Sequence, residues 1–273
     1  MSSTRLPGKI LLDIAGEPML VRVVERLRQV QSLDQILVAT TSDRPDDATE
    51  ALCKERGYAC FRGSTHDVLD RYYQAARQHR ADIVVRITAD CPLIDPGLID
   101  EAVATFTGSE GSESRAVRRD ARLATAASPL ASPLSPFPYD FVANRLPPPW
   151  GRTYPVGLDI EVCSFSGLEQ AWSEADQPHQ REHVMPFFYE QPERFRIRLL
   201  NHKFDYGELR WTVDTPQDLE LLRSIAAHFD GRDDFTWLEV LEFVKDNPGV
   251  AQINAFVQPK DYRDFDARNR DGG

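Results

Sequence analysis

Apolar residues return every three or four positions at Leu20, Val23, Val24, Leu27 and Val30, which predicts an amphipathic helix over 18–30. The period then changes. Gln35-Ile36-Leu37-Val38-Ala39-Thr40-Thr41 is a short, β-branched apolar run and reads as a buried strand. A helix over 45–56, stopped by Gly57, leads to a short strand from Tyr58 to Arg62. Residues 66–80 are again helical, with Val68, Leu69, Tyr72 and Ala76 on one side. Asp82-Ile83-Val84-Val85-Arg86-Ile87-Thr88 is a second buried strand, followed by a helix over 97–106. Strands alternating with helices at this spacing predict an α/β fold, a mostly parallel sheet with helices on both faces. Ligands in such sheets bind beyond the carboxyl ends of the strands. The loops 2–9, 41–44 and 88–95 all lie at such ends.

Residues 108–137 break the pattern. They are rich in Ser, Ala, Gly and Pro, carry Arg115, Arg118, Arg119 and Arg122, and lack the apolar period needed to pack, so they read as a disordered insertion. Regular structure resumes at Tyr139-Asp140-Phe141-Val142-Ala143-Asn144. Trp150, after Pro147-Pro148-Pro149, reads as loop packing. The alternating run 154–162 predicts a strand, then helices over 165–175 and 180–190 and a strand over 195–201. Arg210-Trp211-Thr212-Val213-Asp214 reads as a strand entering a helix over 216–228, and Thr236 to Phe243 as a last helix. The chain thus divides into one domain over 1–257, with 139–205 as a substrate and dimerisation part, and a polar tail over 258–273.

With 273 residues and 41% hydrophobic positions, the chain buries a substantial core. The formal net charge of -11 argues against a general nucleic-acid surface. No stretch approaches the roughly 18–20 apolar residues of a membrane span, and the polar start carries no signal peptide, so a cytoplasmic location is expected. Cys53, Cys60, Cys91 and Cys163 form no CxxC pair and read as ordinary structural thiols.

Candidate chemistry begins at Ser2-Ser3-Thr4-Arg5-Leu6-Pro7-Gly8-Lys9. Ser3 and Thr4 offer hydroxyls, Gly8 permits close backbone approach, and Arg5 and Lys9 supply charge for a polyphosphate. The spacing is neither a Walker A loop nor a GxGxxG fingerprint, and a polar tail has the same composition. Asp90 closes the strand over 82–88 in Thr88-Ala89-Asp90-Cys91-Pro92-Leu93-Ile94-Asp95-Pro96, a place for a divalent metal or a turn. Asp95 and Asp214 both read as helix N-caps, and Asp218 as structural. Arg71, in the first turns of its helix, is either a nucleotide contact or a surface residue of a capped helix. Asp159 and Glu161, two apart on an extended segment, share one face. With Arg181, Glu182, His183 and Arg210 they form a substrate-side set, and His183 reads equally as a buried, hydrogen-bonded histidine.

The run S-S-T-R-L-P-G-K followed by Ile10-Leu11-Leu12 and Gly16-Glu17-Pro18-Met19-Leu20 resembles the start of the sugar cytidylyltransferases. So do Gly63-Ser64-Thr65-His66-Asp67-Val68-Leu69-Asp70-Arg71, Gly157 to Val162 and Arg181-Glu182-His183-Val184, which are similar to the SpsF spore-coat polysaccharide family. The D-x-P-L-I and V-D-T-P-x-D-L stretches are similar to CMP-KDO synthetases. The resemblance covers 2–107 and 139–257. It implies a Rossmann-like nucleotidyltransferase fold, CTP as substrate, Mg²⁺ on Asp90 and Asp214, and a homodimer. It also implies that Ser3, Thr4, Arg5, Gly8, Lys9, Arg71 and Asp90 bind nucleotide, and that an acidic or modified sugar is activated to a CMP-sugar for surface polysaccharide. Finally, it implies a central apolar strand before the loop, next to the strands that carry Val38 and Val84. The expected natural start therefore lies about ten residues upstream. Two other readings stand beside it: a glycosyltransferase, which needs a D-x-D motif where this chain has Asp90-Cys91-Pro92, and a non-enzymatic binding relative.

Overall fold

The computed structural model describes residues 5–109, 136–147 and 151–258. Ser3, Thr4, the four insertion arginines, Trp150 and the tail beyond 258 lie outside the described residues.

The first described turn, Lys9–Leu11, is entered through Gly8 in the left-handed region, at φ 68 and ψ 14. That conformation disfavours a side chain, which accounts for glycine here. A two-residue ribbon follows, β1 (Asp13–Ile14) against β2 (Glu17–Pro18). Helix α1 (Met19–Leu27) buries Met19, Leu20, Val23 and Val24, the face its periodicity predicts. It also buries Arg26 completely. The guanidinium is satisfied by three backbone carbonyls: Ile94 O at 2.6 Å, Asp233 O at 2.8 Å and Phe235 O at 2.9 Å. A buried cation is tolerated where each of its nitrogens finds an acceptor.

Strand β3 (Leu37–Thr41) pairs in parallel with β4 (Ala59–Gly63) across α2 (Asp47–Arg56). Helix α3 (Val68–Gln78) is capped by Asp67, whose carboxylate accepts from Asp70 N at 2.8 Å. Strand β5 (Ile83–Arg86) leads through the Asp90 loop into α4 (Pro96–Thr107). Beyond the insertion come β6 (Phe141–Ala143), the hairpin β7 (Arg145–Leu146) and β8 (Gly151–Arg152), and β9 (Glu161–Ser164). Helices α5 (Phe165–Glu174), α6 (Pro178–His183) and α7 (Pro186–Tyr189) precede β10 (Ile197–Leu199). Helices α8 (Pro216–His228), α9 (Trp237–Asp246) and α10 (Pro248–Gln252) complete the order.

The main sheet is mixed, in the order β10-β6-β9-β5. β10 and β6 are parallel, and β9 runs antiparallel to both β6 and β5. One core packs Ile99, Phe106, Val142, Val162, Leu222 and Val240; a second gathers Leu69, Phe141, Leu168, Phe188 and Phe195. No described helix is long and apolar enough to cross a membrane.

Several expectations change in detail. Strands β3 and β5 do not join; β3 bonds only to β4, and β5 only to β9 among the described residues. Between them lies a cavity of about 500 Å³, lined by Ile36, Leu37 and Ala39 on one side and Ile83, Val85 and Ile87 on the other. Val38 and Val84 are half-buried rather than buried.

The alternating run 154–162 forms a ladder only from Glu161 onward. Asn144 satisfies its earlier backbone in place of a neighbouring strand: Nδ2 donates to Leu158 O at 2.6 Å, and Ile160 N donates to Oδ1 at 2.9 Å. Residues 210–214 contribute one parallel bridge, Val156 to Arg210, and no strand. The helix expected over 180–190 is two short helices. Val184, at φ 71, ends α6, and Pro186 starts α7. Pro186 has no N–H to continue the ladder, and the backbone turns two residues earlier, at Val184.

Candidate active site

The Asp90 loop and the 210–214 segment are joined backbone to backbone. Val213 N donates to Asp90 O at 2.9 Å, and Thr212 Oγ1 donates to the same carbonyl at 3.0 Å. Trp211 N donates to Val156 O at 2.6 Å, which fixes the other side. Gly157, at φ 106, lies against this segment; a Cβ there would sit 2.6 Å from Thr212 N. These contacts bring Asp90 and Asp214 side by side at the mouth of the main sheet.

Lys9 closes onto both. Its ammonium donates to Asp90 Oδ2 at 2.6 Å, Asp214 Oδ1 at 2.8 Å and Val213 O at 2.7 Å. Burial works against the Lys9 charge, and the two carboxylates outweigh it, so its pKa is raised. Arg5 reaches Asp214 Oδ2 at 2.9 Å, and Arg210 reaches the same oxygen at 2.6 Å. Burial alone pushes the Asp214 carboxyl up; Lys9, Arg210 and Arg5 together bring it down to about 2. Asp214 is thus an anion throughout the neutral range.

Arg210 therefore stands with the loop residues and the aspartates, not beside Asp159 and Glu161. Asp218 holds it there. This fully buried carboxylate accepts from Arg210 Nε at 3.0 Å, Asn254 Nδ2 at 2.8 Å and Asp214 N at 2.9 Å. It also belongs to the capping box of α8 with Thr215. Asp95 caps α4, accepting from Leu98 N at 3.1 Å and, across the fold, from Trp237 N at 2.7 Å.

Arg71 points from α3 toward β4. Its Nη1 donates to Ser64 O at 2.6 Å, and its Nε is buried with no hydrogen-bond partner among the described residues. Gly63 makes room for it, since a Cβ there would lie 3.0 Å from Arg71 Cγ.

The substrate-side set divides. Asp159 accepts two bonds from Arg152, at 2.9 and 3.2 Å, and one from Arg145 at 3.4 Å. Glu161 is buried on β9 directly opposite Arg86 on β5 and accepts from its Nη1. Arg181 ties three helices together: Nε donates to Asp67 Oδ2 at 2.9 Å on the α3 cap, and Nη1 donates to Trp172 O at 2.6 Å on α5. Glu182 is half-buried on α6. His183 has a buried Nε2 with no hydrogen-bond partner among the described residues. Burial first, then Arg86 and Arg145, push its pKa down to about 4, so it is neutral at pH 7.

Three arginines escaped the sequence reading. Arg86 carried a signal, being the single charge inside an otherwise apolar strand. Arg145 and Arg152 carried none; each sits in a short hairpin whose partner, Asp159, is set by the fold.

Among the described residues no cluster of three or more His, Cys, Asp or Glu is placed to hold a metal. A magnesium ion needs fewer, taking one or two carboxylates and completing its shell with phosphate oxygens and water. The Lys9 ammonium, held between two carboxylates, marks a point where the donor set accepts a cation. Asp90 and Asp214 thus fit a divalent ion that arrives with a polyphosphate.

Residues 1–261 match the family model described as cytidylyltransferase. The chain belongs to the cytidylyltransferase family. Family members are CTP-dependent nucleotidyltransferases, which sets aside the glycosyltransferase and non-enzymatic readings at the level of family. The chain is 32% identical over 266 residues to an uncharacterized protein of Methanocaldococcus jannaschii, covering 97% of this chain and 95% of that one. It is 27% identical to the spore coat polysaccharide biosynthesis protein SpsF of Bacillus subtilis, covering 92% and 93%. Among solved structures, a cytidylyltransferase from Leptospira borgpetersenii superposes with TM-score 0.75 at 33% identity, over 92% of this chain and 93% of that chain. A CMP-2-keto-3-deoxy-manno-octonic acid synthetase complexed with CTP shares the fold, with TM-score 0.52 at 22% identity over 84% and 95%.

Proposed function

We propose that this cytidylyltransferase joins CTP to a hydroxyl of an acidic or modified sugar, giving a CMP-sugar and pyrophosphate for surface polysaccharide. The observation that carries the reading is the Lys9 ammonium bridging Asp90 and Asp214, with Arg5 and Arg210 on the same carboxylate. Lys9, Arg5 and Arg210 are balanced there by Asp90, Asp214 and, behind Arg210, Asp218, so a polyphosphate would bring a metal with it. A bound Mg²⁺, held by Asp90 and Asp214, would supply neutralisation of phosphate charge.

The chain's own residues do the rest. Arg5 and Lys9 would balance the charge that grows on the β- and γ-phosphates as pyrophosphate leaves. Arg71 approaches from α3 with one N–H unused, a donor for the nucleotide. Asp218 and the backbone ties between 90 and 213 hold the aspartates in position, so little reorganisation is needed when the charge develops. The sugar oxygen attacks the α-phosphorus in line. A P–O bond to the sugar forms, the bond from the α-phosphorus to the α,β-bridging oxygen breaks so that pyrophosphate leaves with the electron pair, and the hydroxyl proton passes to solvent.

The test is pyrophosphate release with CTP and a panel of acidic sugars. Release that requires both CTP and one sugar supports the reading. No release with any sugar, from a protein that binds CTP, counts against the sugar-acid assignment.

A further inference from the structure

The first turn of α3 is held by a closed ring of four residues drawn from three helices. Arg181 on α6 donates Nε to Asp67 Oδ2 at 2.9 Å, and its Nη2 donates to the same oxygen. The other Asp67 oxygen caps α3, accepting from Asp70 N at 2.8 Å. Asp70 Oδ1 accepts from Trp172 Nε1 on α5 at 2.8 Å, and Arg181 Nη1 donates to Trp172 O at 2.6 Å, which closes the ring. The Trp172 indole also stacks on Tyr73 of α3, with ring centroids 4.2 Å apart. A capping aspartate needs one oxygen for its N–H and no ion pair. The second oxygen of Asp67 therefore does something the cap alone does not require.

What the ring steadies is Arg71. Arg71 N donates to Asp67 O at 3.1 Å, Asp67 N donates to Ser64 Oγ at 3.1 Å, and Arg71 Nη1 donates to Ser64 O at 2.6 Å. Asp67 and Ser64 thus fix both the backbone and the guanidinium of Arg71. Ser64 directly follows β4, at the carboxyl end of a strand, where ligands of such sheets bind. Arg71 Nε is buried with no partner among the described residues. Burial lowers its pKa more than its neighbours raise it, the direction expected of a buried cation without an anion against it.

We propose that Arg181 is a positioning residue for nucleotide binding: through Asp67 it fixes Arg71 in the orientation that meets CTP, and it does not touch the nucleotide itself. This rests on the reading of Arg71 as a nucleotide contact given above. Each of the three Arg181 nitrogens already has an acceptor within the ring, so its guanidinium is committed to α3 and α5 rather than offered to a sugar. An Arg71 aimed before the ligand arrives loses less side-chain freedom on binding, so the ring contributes to CTP affinity from a distance.

The test is calorimetric titration of the full chain with CTP and Mg²⁺. The proteins are the parent, Arg71→Met, Arg181→Met, Asp67→Asn, and two double variants that combine Arg71→Met with each of the other changes. Asparagine caps a helix as well as aspartate does, so Asp67→Asn keeps α3 and removes the charge that Arg181 meets. Arg71→Met should weaken CTP binding by about tenfold or more, the scale of a lost hydrogen bond to a charged group. Arg181→Met and Asp67→Asn should each weaken it by about threefold or more, and neither should weaken it further once residue 71 carries the methionine. Such non-additivity marks residues that act through one another, and a loss of stability alone does not produce it. Circular dichroism melts show which variants are folded at the titration temperature; if Arg181→Met is not, the Asp67→Asn cycle decides. Parent-like CTP affinity in folded Asp67→Asn or Arg181→Met, beside weak binding by Arg71→Met, overturns the positioning role, and so do losses that add in the double variants. Parent-like affinity in Arg71→Met overturns the Arg71 reading and the inference with it. Failure of the parent to bind CTP overturns the functional reading itself.

Discussion

Lys9 Nζ and Asp214 Oδ1 are 2.8 Å apart although 205 positions separate them in the chain. The same ammonium reaches Asp90, so one side chain draws the glycine-containing loop onto both acidic segments. Replacing Lys9 by Met leaves two partly buried carboxylates without their shared cation. Turnover should fall about 10²-fold, the scale for losing one electrostatic element of a transition state. Pyrophosphate release measures it, and near-normal turnover in Lys9→Met would remove this lysine from the reaction.

The two aspartates make a matching prediction. Asp90→Asn and Asp214→Asn should each lower turnover by about 10²-fold or more while the fold survives. Chelation of divalent metal should abolish pyrophosphate release, and added Mg²⁺ should restore it. Circular dichroism checks the fold. An active Asp90→Asn protein, or activity indifferent to chelation, contradicts the assignment.

His183 and Asp214 predict separate acid windows for stability. The folded pKa of His183 is about 4, below the ordinary 6.5, so the unfolded chain takes up this proton first as pH falls. Its contribution is complete above 6.5 and is lost between 6.5 and 4. The Asp214 carboxyl, at about 2 against 3.8, acts lower: its contribution is complete above 3.8 and is lost as pH falls toward 2. Thermal melts from pH 7.5 to 4.5 should show a shallower decline for His183→Gln than for the parent. Parallel curves would refute the burial-driven shift.

Gly157 is the backbone position on which the site depends most. An alanine there combines a φ of 106 with a Cβ 2.6 Å from the Trp211–Thr212 backbone. Gly157→Ala should cost about 1–3 kcal/mol, as strained backbone positions do, seen as a lower midpoint in urea. Activity should fall with it, since Trp211 to Asp214 must shift. An unchanged midpoint would show that the segment is free to move.

Local signals in the chain were read well, and pairings distant in sequence were not. The periodicity of α1, the Gly57 and Asp95 caps and the apolar runs of β3 and β5 are written in neighbouring residues. The loop with Arg5 and Lys9 and the two aspartate stretches were visible as motifs, and the fold adds that they meet. What stayed hidden was set by side chains replacing strands. Asn144 satisfies the backbone of 158–160, so an alternating run that looked like a ladder is not one. Arg210 looked like a substrate residue although Asp214 and Asp218, which claim its donors, lie only four and eight positions further on. Arg86 was read as part of an apolar strand, and its partner Glu161 lies 75 positions away.

The family's central reaction is tested most directly by pyrophosphate release from CTP, ATP, GTP and UTP, each with Mg²⁺ and the same panel of acidic sugars. The account predicts release from CTP well above the other three, dependent on one sugar and lost in Asp214→Asn. Equal release from all four nucleotides, or release from CTP that persists in Asp214→Asn, would contradict it.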